Sequence, residues 1–240
     1  MSIFENNVVA NAYSRIHEDE NPQQQQFSLE ELTSQSSFKK KVAYCRRFLP
    51  HLGTGSARIV FALPNGHALK LAYNSKGLAQ NRAESGDSYK EQFDCFTKTF
   101  NHENDFMWTE TEIAVKCKRS DFKTLLGVTF EQMKDMLVTI VRMRGRGNEF
   151  PGYILSERYE VVKERLQKEL DREYDSFFYQ MDEFIGNYGI HETIADAFRL
   201  CNWGIVTRKG ERWLVIVDSG LNEEVYDNYY GYNARLRNRV

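Results

Sequence analysis

The residues able to do chemistry fall in two groups, one early and one late. Gly53 and Gly55 stand in Gly53-Thr54-Gly55-Ser56-Ala57, and Lys70 follows in His67-Ala68-Leu69-Lys70. Asn202 opens Asn202-Trp203-Gly204, and Asp218, sixteen residues on, opens Asp218-Ser219-Gly220. Glycines let backbone N–H groups approach phosphate oxygens. A lysine neutralises phosphate charge, and amide and carboxylate oxygens suit a hard divalent cation. In this order the residues are what a protein needs to hold a triphosphate and its magnesium. Glu84, in Gln80-Asn81-Arg82-Ala83-Glu84, is the carboxylate placed to anchor Lys70, with Glu91 two helical turns on as runner-up.

Each piece alone has an ordinary explanation. Gly53-x-Gly55 could be a strand-entry turn, and a lysine on an edge strand is commonly a solubility device. Glu84 could be a solvated helix carboxylate, and Asp-Ser-Gly a plain turn. Two other phosphate loops are excluded. The dinucleotide fingerprint needs a third glycine and a following helix, whereas here Arg58 and a strand follow; the Walker loop needs a Gly-Lys-Ser/Thr that the chain lacks. Asp218 is harder to explain away, because it follows the apolar run Leu214-Val215-Ile216-Val217.

The elements that must position these residues can be read in turn. Ser28 three before Glu31 predicts a capped helix over 28–34. A second helix over 37–49 turns Phe38, Val42, Ala43, Phe48 and Leu49 inward and Lys39, Lys40, Arg46 and Arg47 outward. Pro64-Asn65-Gly66 between Arg58–Leu63 and His67–Tyr73 predicts a hairpin with Lys70 in its second strand, on the face opposite Leu69 and Leu71. A helix over 77–98, a strand over 108–117 and helices over 130–144 and 156–185 follow, the last stopped by Gly186 and Gly189. Residues 191–200 read as helix or turn. A second hairpin, turning at Arg208-Lys209-Gly210, brings Asn202 beside Asp218. The layout predicts a two-lobed α+β protein: an arm or linker over 1–27, a β-rich lobe over 28–120, a mainly helical lobe over 121–222 and a tail over 223–240.

Composition narrows the class. The chain has 240 residues, 41% of them hydrophobic, and a formal net charge of −2, so no global field draws it to nucleic acid or to an anionic membrane. The four cysteines, Cys45, Cys95, Cys117 and Cys201, are scattered, which predicts reduced thiols rather than a zinc site. The polar first fifteen residues and the lack of a long apolar run predict a cytoplasmic protein without a membrane partner. Arg142, Arg144 and Arg146 end a helix, where cations are favoured by the dipole alone.

Gly53-x-Gly55-x-x-Arg58-x-Val60, then Lys70 and Glu84, then Asn202-Trp203-Gly204 and Asp218-Ser219-Gly220, resemble the phosphate- and metal-binding parts of the protein-kinase-like fold. More narrowly they resemble the short kinase-like proteins of tailed bacteriophages. The resemblance runs over residues 52–84 and 190–221. It implies ATP and Mg²⁺ as cofactors, with cofactor contacts at Gly53, Gly55, Val60, Lys70 and Glu84 and metal ligation by Asn202 and Asp218. It implies phosphotransfer as the activity, a host protein or protein substrate as partner, and the host cytoplasm or the virion as location. The family's catalytic aspartate would fall at Ala197; Asp196, one residue off, is the candidate catalytic residue, with His191-Glu192 as another source of a base. A base so displaced implies slow or absent turnover. Only twenty residues follow Gly220, so a shortened C-terminal lobe without an activation segment is expected. The alternative, from another class, is a non-catalytic kinase-like scaffold or host-interaction protein.

Overall fold

The computed structural model describes residues 26–85, 92–145, 159–171, 176–188 and 197–230. They form an α+β protein of two units. One takes the described residues up to Ser85 together with Thr99–Ile113; the other takes the described residues of Gly86–Lys98 and those from Ala114 on.

The first unit is built on a five-stranded antiparallel sheet in the order β1-β2-β3-β5-β4, from β1 (His51–Thr54), β2 (Arg58–Ala62), β3 (His67–Ala72), β4 (Thr99–His102) and β5 (Trp108–Glu112). The β2–β3 turn forms as expected. Gly66 takes a φ of +83° that disfavours a side chain, and its N–H donates to the Leu63 carbonyl at 3.0 Å. Strand alternation sorts the side chains onto two faces. Ile59, Phe61, Leu69, Leu71 and Trp108 pack with Leu32, Tyr44 and Cys45 of helices α1 (Leu29–Ser34) and α2 (Phe38–Phe48) and with Leu49, which follows α2. Arg58, Val60, Lys70 and Thr109 alternate to the other face, where Val60 and Thr109 flank Lys70 in register. Helix α3 (Ser75–Ser85) packs on β3 and β5.

Helix α1 is capped by Ser28 Oγ, which accepts from the Glu31 N–H at 3.3 Å. The inward face of α2 differs from the expected one: Lys41, Tyr44 and Cys45 are buried and Ala43 is exposed. The cause is Lys41, whose ammonium donates to the Leu32 and Thr33 carbonyls at 3.0 and 2.6 Å and so satisfies the open end of α1. Helix α3 ends at Ser85, well short of residue 98. Beyond it, Cys95 and Thr97 spend their backbone groups on the strand of Ile216: the Ile216 N–H donates to the Cys95 carbonyl at 2.9 Å and the Thr97 N–H to the Ile216 carbonyl at 3.3 Å. The expected strand 108–117 is likewise two strands, β5 in the first unit and β6 (Val115–Lys116) in the second.

In the second unit β6, β7 (Trp203–Arg208) and β8 (Glu211–Ile216) form an antiparallel sheet in that order. Helices α4 (Arg119–Leu126), α5 (Phe130–Met143), α6 (Tyr159–Leu170), α7 (Phe177–Tyr188) and α8 (Glu223–Tyr229) complete it. Its core joins Phe122, Met133, Leu137, Leu166, Phe184 and Trp203. The predicted helix 156–185 is two helices, both packed on α5 and on each other. A single straight helix of that length would run about 45 Å and could not bury both stripes there. Gly186 lies inside α7 rather than ending it, and Arg144 lies across it: a Cβ at Gly186 would come 2.8 Å from the Arg144 Cζ. That arginine donates to Asp182 through Nε at 3.0 Å and Nη2 at 2.6 Å, so it fastens α5 to α7. The expected tail begins with a helix, α8, which Asn222 caps and Val225 anchors in the interior. All four cysteines are free thiols, three buried and Cys201 exposed. Among the described residues no helix is long and apolar enough to cross a membrane.

Candidate functional site

Three neighbouring elements of the first unit converge on one carboxylate. Lys70 from β3 donates through Nζ to Glu84 Oε1 at 2.5 Å, so the expected lysine anchor is Glu84. Arg58 from the start of β2 donates through Nη1 to Glu84 Oε2, and to Asn81 Oδ1 at 3.2 Å. Asn81 lies three residues before Glu84 and so on the same side of α3. Its Nδ2 donates to the Phe106 carbonyl at 2.9 Å and the Lys70 carbonyl at 3.4 Å. Arg58, Lys70, Asn81 and Glu84 are each at most 6% exposed. Burial alone would raise the Glu84 carboxyl. The Arg58 and Lys70 charges, and the hydrogen bonds they donate, outweigh it and hold the group down to about 2.

Arg58 and Asn81 were not legible as members of this site. Arg58 occupies the position where the loop pattern has its third glycine, and a loop arginine ordinarily reads as solvated. The available signal was its place at the head of an apolar strand, Ile59-Val60-Phe61-Ala62.

The glycine turn joins β1 to β2. The Gly55 N–H donates to the Arg58 carbonyl at 2.8 Å. The β3–α3 connection and the start of α3 hold the turn: Tyr73 Oη donates to the Gly55 carbonyl at 2.7 Å, and Lys76 Nζ to Ser56 Oγ at 3.0 Å. Neither Gly53 nor Gly55 has a positive φ. A Cβ at Gly53 would meet nothing within 4 Å, and one at Gly55 only the Arg58 carbonyl at 3.7 Å. The fold itself therefore does not require glycine at either position. Val60 is half-buried beside Lys70 in register.

In the second unit the β7–β8 hairpin turns on Lys209 and Gly210, at φ of 52° and 85°. At its open end the Val217 N–H donates to the Asn202 carbonyl at 2.9 Å, which sets Asp218 one residue beyond that bond. Asn202 and Asp218 are both half-buried. The two residues after Asn202 have structural reasons. Trp203 is 1% exposed, donates its indole N–H to the Ala197 carbonyl at 2.6 Å and meets Phe122 edge-on at 5.2 Å. A Cβ at Gly204 would collide with Ala114 at 2.6 Å and Val217 at 2.7 Å. Among the described residues no three His, Cys, Asp or Glu side chains gather as a metal site. A magnesium ion that shares phosphate oxygens needs only one or two protein oxygens, and Asn202 and Asp218 are of the right chemistry. The other expected site residues, Asp196, His191, Glu192 and Glu91, lie outside the described residues, as does Arg146. Of the three arginines expected near the end of α5, Arg144 is committed to Asp182 and Glu183.

No family model, curated protein or solved structure matches this chain.

Proposed function

We propose that this protein is kinase-like and binds ATP with Mg²⁺. The observation that carries the reading is the buried Lys70–Glu84 pair, one strand away from a glycine turn whose glycines the fold does not need. In protein kinases the strand lysine is paired with a helix glutamate and contacts nucleotide phosphates. Lys70 and Glu84 have that chemistry and that origin, strand and following helix. Gly53 and Gly55 put no side chain in the way of a phosphate at this turn, and Val60 offers an apolar contact beside Lys70. Asn202 and Asp218 are the metal-holding pair, and the bound ion supplies neutralisation of phosphate charge. Phosphoryl transfer is slow or absent, because Asp196 stands one residue away from the position a catalytic base would take.

Calorimetric titration of ATP, with and without magnesium, tests the reading. The wild-type protein should bind ATP·Mg²⁺, and Asp218→Ala should bind ATP equally with and without the metal. Lys70→Met should bind more weakly in both conditions. A wild-type protein that releases no heat at millimolar ATP and magnesium removes the nucleotide reading and leaves the non-catalytic scaffold or host-interaction protein in its place. Rapid phosphorylation of a protein substrate, lost in Asp196→Asn, would overturn the expectation of slow turnover.

A further inference from the structure

We infer that Arg58 is a positioning residue that keeps the Lys70–Glu84 pair assembled whether or not a nucleotide is bound. The inference rests on the nucleotide reading for its consequence, though not for its geometry. A lysine–glutamate pair between a strand and a helix can be made or lost by movement of the helix. Here the helix is fixed to the sheet at several places. Glu84 is bound at both oxygens, by Lys70 on one and Arg58 on the other. Asn81 accepts from the same guanidinium and donates to the carbonyls of Lys70 and Phe106, so β2, β3 and the β4–β5 turn all hold α3. Gly77 lets α3 approach so closely that a Cβ there would lie 2.3 Å from the Ala57 carbonyl oxygen. Phe106 takes a φ of 57°, unfavourable for a bulky residue. Such a conformation persists where its surroundings over-determine it, and the Asn81 bond to its carbonyl is one such restraint.

The identity of residue 58 fits this role. A glycine there would leave Glu84 Oε2 to solvent or to a moving partner. A guanidinium reaches the carboxylate and the amide together, in a fork that a lysine lacks. Among the described residues, few other charged groups stand at this register or on this face of α3. β2 contributes Arg58, β3 contributes Lys70, and β5 contributes uncharged Thr109 at the same register. On β4 the residue at that register is His102, exposed and stacked on Phe106 at 5.0 Å. On α3 itself Lys76 reaches Ser56, and Arg82 is exposed over the Phe106 ring. Arg58 and Lys70 are therefore the cations that hold Glu84 ionised. The consequence is a binding site whose lysine is already in place, with no helix movement coupled to nucleotide binding.

Two measurements on the full chain test this, one of them without nucleotide. Carboxyl NMR of Glu84 should show no titration between pH 6 and 4 in the wild type. In Arg58→Gln, burial with one cation removed should bring a titration into that interval. ATP·Mg²⁺ affinity should fall about tenfold or more in Arg58→Gln at pH 7, the equivalent of one hydrogen bond to a charged group, and fall further toward pH 5. The wild-type affinity should carry no contribution from Glu84 titration in that interval. Arg58→Lys should restore the pH behaviour in part, and it carries the same test if Arg58→Gln does not fold. A purely structural arginine would lower the melting temperature without moving the Glu84 titration. If Glu84 titrates alike in wild type and variants, the inference is overturned. If the wild type binds no ATP, the nucleotide reading fails separately, and the Glu84 titration still decides what Arg58 does.

Discussion

Glu84 is the residue on which the first unit's polar chemistry turns. It is a buried carboxylate between two buried cations, and removing one partner from such a group leaves charge stranded away from water. Glu84→Gln should therefore cost about 3 kcal/mol of stability at pH 7, read as a shift in the urea midpoint. The same residue predicts an acid dependence. Its folded-state value lies below its ordinary 4.5, at about 2. The unfolded chain thus binds a proton before the folded one does. The contribution is complete above about pH 4.5 and is lost as pH falls toward 2, amounting to about 3 kcal/mol over that window. Wild type should lose stability there more steeply than Glu84→Gln; equal slopes would mean that other carboxylates govern acid unfolding. Lys70 and Glu84 could be paired from the sequence because the strand and the helix are consecutive and opposite in charge. Arg58 and Asn81 could not, since their roles depend on a carbonyl of residue 106 and a carboxylate 26 residues away.

At the scale of elements, two helical glycines make opposite predictions. Alanine is favoured over glycine in a helix by about 1 kcal/mol. At Gly77 the new methyl would strike the backbone of Ala57, which cannot swing aside. Overpacking of that kind costs about 1–3 kcal/mol, so Gly77→Ala should lower the melting temperature. It should also disturb the glycine turn, because Ala57 ends it. At Gly186 the three atoms nearest the new methyl all belong to the far end of Arg144. That side chain can rotate away, giving up a partly exposed ion pair worth at most about 1 kcal/mol. Gly186→Ala should therefore leave the melting temperature nearly unchanged. A large loss at Gly186, or none at Gly77, would show that the contacts are not what limits each helix. The same contrast explains what was legible among the elements. Both hairpin turns could be read because Asn65-Gly66 and Lys209-Gly210 encode their own backbone conformations. The end of α3 could not, because residues 95–97 pair with Ile216, more than a hundred positions later. The buried face of α2 was misread by the demand that Lys41 close the end of α1.

For the whole molecule, the mixed α+β class was foreseeable from a strand-rich start and a helix-rich remainder. The discontinuity of the first unit was not, because it takes Thr99–Ile113 after the chain has left it at Ser85. The sheet order makes that discontinuity consequential. β3 is central, yet its second neighbour is β5, which ends about forty residues after β3 does. On a ribosome adding about 5–20 residues per second, β3 waits some 2–8 seconds with one edge unpaired. An unpaired strand edge is a template for association with other chains. Nascent chains arrested before Trp108 is extruded should therefore be prone to aggregate or to recruit a chaperone, and chains arrested once Glu112 has cleared the exit should be much less so. Ribosome pelleting of staged arrests would measure the difference. Synonymous codons that speed translation between Ser85 and Trp108 would then raise the soluble yield without altering a single residue.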